Sequence, residues 1–205
     1  MMYTPLPRSF YTADACTLAR NCLGKLLVLE TEDGVMAGII TETEAYMGVS
    51  DRASHAYGGR RTARNETMYR EGGYAYVYQI YGLYHCLNVT AALEGNPEAV
   101  LIRGVLPTEG ISQMCRNRSR NGRARAYPDV AHMTPGQLRK MTDGPGKLCT
   151  AFGIDRKTDG TDMTGGSLYL TDTGVSVPAV QCLPRVGIDY AGEDRDKPWR
   201  YLSVL

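Results

Sequence analysis

The sequence predicts an α+β domain, because runs of strand-like segments are interrupted by only a few helices and do not alternate with them. Residues 25–46 contain two apolar strand-like runs joined by an Asp-Gly turn at 33–34, which is typical of a hairpin. Residues 74–93 show a second hairpin with a Tyr-Gly tip at 81–82. Hairpins pair their strands antiparallel, so an antiparallel sheet is expected.

The remaining elements are predicted from periodicity and from residues that start and stop helices. Apolar residues recur at helical spacing over residues 11–24, where we expect Thr12 as the cap, Asp14 in the first turn and Gly24 at the end. A later helix should have Pro135 at its first position. This helix is expected at 134–142, and further helices are expected at 108–122 and 144–154. Further strands are expected at 99–106, 167–172 and 179–188.

Composition limits the class of protein. The chain has 205 residues, of which 43% are hydrophobic and 22% charged, so we expect one globular domain over residues 1–205. The six cysteines contain no C-x-x-C pair and the three histidines are not clustered, so no metal site is predicted. No apolar run reaches the roughly 20 residues of a membrane span, and MMYTPLPRSF lacks a signal-peptide core. We therefore expect an intracellular protein without a membrane anchor.

Arginine is concentrated in two segments, although the formal net charge is only +1. Residues 116–125 hold five arginines without an acidic residue, and residues 58–64 hold three more. Such runs suit contacts with nucleic-acid phosphates. A solvated helix face with its loop would explain each run equally well.

Two glutamates and an arginine predict a charged cluster at the end of an apolar strand. Side chains alternate between the faces of a strand, so Ile40, Glu42, Glu44 and Tyr46 are expected on one face. Arg103 interrupts an otherwise apolar strand, and a buried guanidinium is costly unless it is paired. The two glutamates are its best candidate partners. A plain buried salt bridge would satisfy the same pattern without catalysis.

Tyrosine is the dominant aromatic residue, with 14 copies against two phenylalanines. Tyr81 should project from the hairpin tip, where it could act as a wedge that unstacks a duplex or could simply be exposed. His55 lies in the long loop 47–73, and Asn88 lies in an apolar strand where its amide needs partners. A carboxylate–arginine pair, tyrosine-lined strands and a protruding tyrosine together fit an enzyme that flips a base out of DNA.

Five segments in the same order resemble the methylpurine (alkyladenine) DNA glycosylases. They are ITETEAYMGVSDRASHAYGGRRTARNETMY, YAYVYQIYGLYHCLNVT, AVLIRGVLP, GPGKLCTAFGI and RVGIDYAGE…KPWRY. The resemblance implies a mainly antiparallel, curved β-sheet with surrounding helices and a protruding β-hairpin. It also implies a monomer without metal or cofactor that acts in base excision repair on double-stranded DNA. The expected lesions are alkylated or deaminated purines such as 3-methyladenine, 7-methylguanine, hypoxanthine and ethenoadenine.

The resemblance also implies roles for individual residues. Glu44 would activate a water molecule held by Arg103 and by the main-chain carbonyl of Val186. The flipped base would be bound by Tyr46, His55, Tyr76 and Tyr78, with Asn88 disfavouring guanine and Tyr81 filling the vacated stack. Apart from the resemblance, the arginine run and the helix start at GPGKLC predict DNA phosphate contacts at Arg60, Arg61, Arg64 and Lys147. Glu42 receives no role from the resemblance and is expected at the pocket edge or in a structural pair.

One carboxylate is sufficient for the expected chemistry, because a cationic methylpurine is already a good leaving group. No lysine falls at the positions matched to the water-activating pair, so a Schiff-base lyase step is not expected. Two other functions remain open at the level of sequence. One is a damage-binding DNA module without catalysis, and the other is an enzyme that acts on a small nucleoside.

Overall fold

The computed structural model describes residues 3–120 and 130–203 and, apart from Arg120, their side chains. Part of the arginine-rich segment 116–125 therefore lies outside the described residues. The α-helices are α1 (Ala15–Cys22), α2 (Ile111–Arg120), α3 (Pro135–Met141) and α4 (Pro145–Phe152). The strands are β1 (Leu26–Thr31), β2 (Gly34–Tyr46), β3 (Ala75–Ile80), β4 (Tyr84–Ala91), β5 (Glu98–Glu109), β6 (Leu168–Thr171), β7 (Val180–Leu183) and β8 (Arg200–Ser203).

The strands form one antiparallel sheet in the order β3-β4-β5-β2-β1-β6. The long strand β2 pairs with β5 along one edge, and with β1 and then β8 along the other. This arrangement confirms the predicted α+β class with a mainly antiparallel sheet. The sequence did not predict β8, and the strand expected at 179–188 ends already at Leu183.

The main hydrophobic core lies between one face of the sheet and the helices. Leu18 of α1, Met114 of α2 and Phe152 of α4 are buried there against Val100 and Ile102 of β5. In the described part of the chain, no helix is long and apolar enough to cross a bilayer. Smaller apolar clusters, which include Ala37 of β2 and Ala99 of β5, lie apart from this core.

Helix α1 is capped by Asp14, so the expectation that Thr12 would cap it was wrong. The Asp14 carboxylate accepts a hydrogen bond of 3.0 Å from the Thr17 backbone N–H and another of 2.7 Å from the Thr17 hydroxyl. Thr12 instead donates its hydroxyl to the Ser9 carbonyl. An N-cap residue directly precedes the first helical residue, which is Ala15 here, so the N-cap is Asp14 and Thr12 lies too far upstream.

The two hairpin turns differ slightly from the prediction. Thr31 pairs with Gly34, so the first turn consists of residues 32–33 and the glycine already belongs to β2. Ile80 pairs with Tyr84, which makes the second tip a three-residue loop, residues 81–83. Longer hairpin loops commonly need a residue with positive φ. At this tip both Tyr81 and Gly82 have positive φ angles, of 52° and 66°.

A double irregularity in the register of β2 against β5 decides which side chains face the core. Ile40 pairs with Val105, Glu42 with Gly104, and the next residue, Thr43, with Ile102. Each strand therefore carries one extra residue, as in a β-bulge, which bends a strand and re-aims its side chains.

The extra residue in β2 breaks the simple alternation that the sequence analysis assumed. Ile40 is fully buried in the main core together with Ala45, and it does not share the face of Glu44 as expected. Thr43 also faces the helices, where its hydroxyl donates to the Ala19 carbonyl at 2.9 Å. Glu42, Glu44 and Tyr46 were placed correctly on the other face, because alternation resumes after the bulge.

Candidate active site

A row of paired residues crosses the sheet on the face opposite the helices. Tyr76 of β3 pairs with Asn88 of β4, which pairs with Leu101 of β5, which pairs with Glu44 of β2. Neighbouring strands are about 4.8 Å apart and paired residues point to the same side. Antiparallel pairing thus brings side chains from distant parts of the chain into one cluster.

A cavity of about 380 Å³ opens over this row. This volume lies within the range of sites that bind small molecules. The cavity is lined by residues that the sequence analysis selected: Glu44, Tyr46, His55, Arg64, Tyr76, Tyr78, Tyr81, Asn88, Arg103 and Val186. Three residues selected for DNA contacts, Arg60, Arg61 and Lys147, do not line it.

The Glu44 carboxylate lies at the base of the cavity and is fully buried. Its Oε2 accepts a hydrogen bond of 2.9 Å from the Tyr46 hydroxyl, and its Oε1 accepts one of 2.8 Å from the Val186 backbone N–H. The Nη1 atom of Arg103 lies 3.4 Å from Oε1. The two oxygens therefore face three donors from β2, from β5 and from the loop after β7.

Burial and hydrogen bonding act on the Glu44 carboxylate in opposite directions. Burial raises its pKa, while Arg103, the Val186 N–H and the Tyr46 hydroxyl partly offset this, so the pKa of Glu44 stays raised. Burial and then the adjacent Glu44 charge raise the pKa of Tyr46 well above its ordinary value. The phenol therefore keeps its proton and donates it in the hydrogen bond to the carboxylate.

Arg103 bridges both glutamates of β2. Its Nε donates to Glu42 Oε1 at 2.8 Å, and the same oxygen accepts a hydrogen bond of 3.1 Å from Arg200 Nη1. Burial alone would lower the pKa of Arg103, but the carboxylates of Glu44 and Glu42 outweigh it and raise the pKa. The predicted pairing of Arg103 with Glu42 and Glu44 is thus present, and Glu42 is part of a salt-bridge network.

The aromatic side of the cavity is built by His55 and two tyrosines of β3. The His55 and Tyr78 rings meet edge to face with centroids 4.6 Å apart, and His55 Nδ1 lies 2.8 Å from the Tyr76 hydroxyl. Burial first, and then the charges of Arg64 and Arg60, lower the pKa of His55 to about 4. The imidazole is therefore neutral at physiological pH.

Asn88 and Tyr81 occupy the positions that the strand pattern predicted. Asn88 is 3% exposed, and its side-chain nitrogen donates to the Tyr76 carbonyl at 3.1 Å. Tyr81 is 86% exposed at the mouth of the cavity and has φ 52°. A left-handed conformation is costly for a bulky residue, so the tip holds this ring outward under strain.

The four basic residues selected for DNA contacts have different surroundings. Arg61 forms two hydrogen bonds with Glu66, and Lys147 Nζ lies 2.6 Å from Asp143 Oδ1. Arg64 lies over the Tyr78 ring, with its guanidinium carbon 5.9 Å from the centroid.

A second cavity of about 400 Å³ lies on the other side of His55. Its lining includes Arg52, Arg60 and Arg64, together with the exposed rings of Tyr57 and Tyr190. Within the described ranges, the side chains of these three arginines form no ion pair with a carboxylate, and no acidic residue lines the cavity. The surface beside the first cavity is therefore cationic.

Comparison with known proteins gives a family that fits this geometry. The profile of the methylpurine-DNA glycosylase (MPG) family matches residues 9–204. The chain belongs to the methylpurine-DNA glycosylase family. It is similar to three proteins provisionally named 3-methyladenine DNA glycosylase, and each alignment covers 96% of this chain. The protein from Desulfitobacterium hafniense (strain Y51) is 43% identical, and the alignment covers 93% of its length. The proteins from Clostridium novyi (strain NT) and Clostridium acetobutylicum are each 44% identical, and the alignments cover 93% and 92% of their lengths.

Family membership assigns the chemistry in outline. The protein is a DNA glycosylase of DNA repair, a hydrolase of N-glycosyl bonds whose substrate is DNA. Among the described residues, no three His, Cys, Asp or Glu side chains are grouped in a way that could hold a metal ion. The expectation of a metal-free and cofactor-free reaction stays a prediction.

Sequence reasoning missed a buried ion pair that supports the glycosylase pocket. Arg185 and Asp51 are both fully buried at the side chain, and the guanidinium donates two hydrogen bonds of 2.5 and 2.8 Å to the carboxylate. Arg185 also donates to the Ala45 carbonyl at 3.0 Å and lies 4.8 Å from the centroid of the Tyr46 ring. The one local signal was an arginine between Pro184 and Val186 in a short apolar segment.

We expect Asp51→Ala to destabilise the protein by about 3–5 kcal/mol, because it would leave the Arg185 guanidinium buried without its counter-charge. Chemical denaturation followed by circular dichroism measures this change in the free energy of unfolding. The matched control is Asp196→Ala, which removes an exposed partner of Arg195 and should leave stability unchanged. Equal effects of the two variants would contradict a structural role of the buried pair.

Proposed function

We propose that this glycosylase is monofunctional and acts as a monomer on duplex DNA, removing alkylated or deaminated purines by hydrolysis with a water molecule activated by Glu44. The observation that carries the proposal is a fully buried carboxylate with three donors at the base of an aromatic cavity, below an exposed Tyr81. The proposed substrates are 3-methyladenine, 7-methylguanine, hypoxanthine and ethenoadenine.

The proposed reaction breaks the bond between the purine nitrogen and the anomeric carbon of the sugar. The electron pair of that bond leaves with the base, and positive charge develops on the sugar. The Glu44 carboxylate stabilises this charge and takes a proton from the water whose oxygen bonds to the anomeric carbon. A cationic lesion needs no further proton to leave, whereas a neutral lesion such as hypoxanthine leaves as the neutral base only after the purine takes up one proton.

Arg103 and Val186 are proposed to hold the attacking water beside the carboxylate. The Arg103 Nη1 atom is near Glu44, while its Nε is occupied by Glu42, which leaves guanidinium N–H groups directed into the cavity. The Val186 N–H donates directly to Glu44, so this residue lies against the carboxylate. These contacts support the proposed role of the Val186 carbonyl as a further ligand of the water.

The flipped base is proposed to lie between Tyr46 on one side and the pair of His55 and Tyr78 on the other. A base held between two rings needs them about 7 Å apart, twice a stacking contact of about 3.5 Å. The His55 and Tyr78 centroids are only 4.6 Å apart, so a base has no room between these two. Neutral His55 and the tyrosine faces would attract a cationic methylpurine.

Asn88 and Tyr76 are proposed to shape the edge of the base pocket. The Asn88 amide is fixed by its bond to the Tyr76 carbonyl and is buried, so it has little freedom to withdraw from a 2-amino group of guanine. No lysine lines the described cavity, which supports a reaction without the Schiff-base step of a lyase.

DNA phosphates are proposed to bind along the second cavity. Arg60 and Arg64 were selected from the sequence, and the structure adds Arg52 to the same lining. Arg61 and Lys147 already have carboxylate partners, so we propose a weaker contribution from them.

We expect Glu44→Gln to lower the release of free hypoxanthine from duplex DNA by at least about 100-fold, because the amide cannot take a proton from water. Glutamine keeps one oxygen that can accept from the Val186 N–H, and its amide can donate to the Tyr46 hydroxyl oxygen, so the fold and lesion binding should be retained. Chromatography of the released base measures activity. The control is Glu32→Gln in the exposed first hairpin turn.

Two outcomes of that assay would reject parts of the proposal. Unchanged base release by Glu44→Gln would contradict the catalytic assignment. A wild-type protein that binds the lesion and releases no base would favour a damage-binding module.

We expect Tyr81→Ser to reduce base release from duplex DNA by about 10- to 100-fold, because a wedge offsets an unstacking cost of a few kcal/mol. Leu93→Ser changes another exposed apolar residue outside the cavities and serves as control. If the protein cleaves free nucleosides, and Tyr81→Ser leaves the rate of that cleavage unchanged, an enzyme that acts on nucleosides would be favoured instead.

We expect Arg52→Gln and Arg60→Gln each to reduce the slope of log K against log salt for duplex binding by about 0.9, the value for one phosphate contact. Fluorescence anisotropy at several salt concentrations measures the slope. Arg195→Gln, at an exposed arginine paired with Asp196, is the control and should leave the slope unchanged. Identical slopes for all four proteins would contradict phosphate binding at the second cavity.

A further inference from the structure

Glu42 is the second carboxylate on the catalytic face, and neither the family match nor the proposed mechanism gives it a role. Its side chain is 18% exposed and those of Arg103 and Arg200 are 14% and 22% exposed. One oxygen of Glu42 accepts hydrogen bonds from both guanidinium groups. An ordinary salt bridge would need only one of these partners.

Arg200 connects this carboxylate to the loop that contacts Glu44. Its Nε donates to the Pro184 carbonyl at 2.9 Å, while its Nη1 donates to Glu42. Two residues after Pro184, the Val186 N–H donates to Glu44. One arginine thus joins the second carboxylate to the segment that fixes the first.

The contacts close into a ring around the catalytic carboxylate. From Glu44 the ring runs through Arg103 to Glu42, through Arg200 to the Pro184 carbonyl, and along the main chain to Val186, which returns to Glu44. Its members come from β2, β5, β8 and the loop after β7. Each link is a charged contact or a main-chain hydrogen bond, so removing one member changes the partners of the next.

Strand pairing places the members of this ring. Glu44 pairs with Arg200 on β8, and the register irregularity next to Glu42 puts Arg103 at the extra position of β5. Arg200 is therefore beside Glu44 in the sheet, yet its guanidinium binds Glu42 and Pro184 instead. Arg103 is the arginine that contacts Glu44, while the Arg185 guanidinium, held by Asp51, lies near enough for the Glu44 charge to raise its pKa.

We propose that Glu42 and Arg200 are positioning residues of the base-excision reaction: they orient the Arg103 guanidinium and hold residues 184–186 against the Glu44 carboxylate. This inference rests on the proposed function, because the orientation concerns the group that activates water. Neither residue touches the reacting atoms. Glu42 and Glu44 both attract the Arg103 guanidinium. Arg200 also binds Glu42 and so weakens the attraction of Glu42 for Arg103.

Removal of Glu42 and removal of Arg200 should shift the pKa of Glu44 in opposite directions. Burial is the main reason why the pKa of Glu44 is raised, Arg103 lowers it, and the like charge of Glu42 raises it again. Without Glu42, Arg103 is left to Glu44 alone, so the pKa of Glu44 falls. Without Arg200, Glu42 draws Arg103 toward itself, so the pKa of Glu44 rises.

The test is the pH dependence of single-turnover release of 7-methylguanine from duplex DNA, because this cationic lesion needs no proton donor. The rate falls at acid pH as Glu44 becomes protonated. We expect Glu42→Gln to move this acid limb to lower pH by on the order of one unit, and Arg200→Met to move it to higher pH. In the double variant, the shift caused by Arg200→Met should largely disappear.

Two further variants separate positioning from folding. Arg200→Lys keeps the charge but cannot bridge Glu42 and Pro184 through two nitrogens, so its limb should lie between those of wild type and Arg200→Met. Arg195→Met removes an exposed arginine outside the ring and should give the wild-type profile. Profiles that drop equally at every pH without moving would overturn the inference, because a merely structural role predicts that result.

A readout that needs no activity distinguishes this inference from the proposed function. Carbon-13 NMR of the glutamate carboxyl groups, with the Glu44 signal assigned by its loss in Glu44→Gln, follows the protonation of Glu44 directly. Opposite shifts in Glu42→Gln and Arg200→Met support the ring, and unshifted titrations overturn it. Failure of the wild type to release any base would overturn the proposed function, whatever the titrations show.

Discussion

A buried carboxyl group at the base of an aromatic cavity is the constraint on which the rest of the structure depends. Glu44 is fully buried, and a buried carboxylate without partners would take up a proton instead of staying ionised. The Tyr46 hydroxyl, the Val186 N–H and the Arg103 guanidinium lie around it and oppose that tendency. The chain has to bring four separate segments together to provide these donors.

The sheet solves this problem through pairing and one irregularity. Antiparallel register aligns Tyr76, Asn88, Leu101 and Glu44 across four strands, so that the aromatic side of the cavity and the carboxylate share a face. The double irregularity between β2 and β5 then lets Ile40 remain in the core while Glu42 turns away from it. The fold thereby keeps a continuous hydrophobic core directly beneath a charged site.

Electrostatics divide the site into two regions with different tasks. In the aromatic region burial keeps His55 neutral and the tyrosines protonated, while the guanidinium groups of Arg64 and Arg185 lie against the Tyr78 and Tyr46 rings. The region around Glu44 contains two glutamates and two arginines that pair with one another. The arginines of the second cavity, which form no ion pair with a carboxylate within the described ranges, give a surface suited to a phosphate backbone. Family membership and geometry thus agree on DNA as the substrate.

The sequence by itself determined most of the strands, though not β8, together with the shared face of Glu44 and Tyr46, the need of Arg103 for a carboxylate partner and the outward position of Tyr81. These features depend on local periodicity or on a single turn, which neighbouring residues encode. Only the tertiary structure decided the side of Ile40, the ring through Glu42 and Arg200, and the burial of Asp51 against Arg185. A one-residue shift in register leaves no local pattern, and Asp51 and Arg185 are 134 positions apart. Such contacts arise from the way distant strands and loops meet, so no stretch of the sequence contains them.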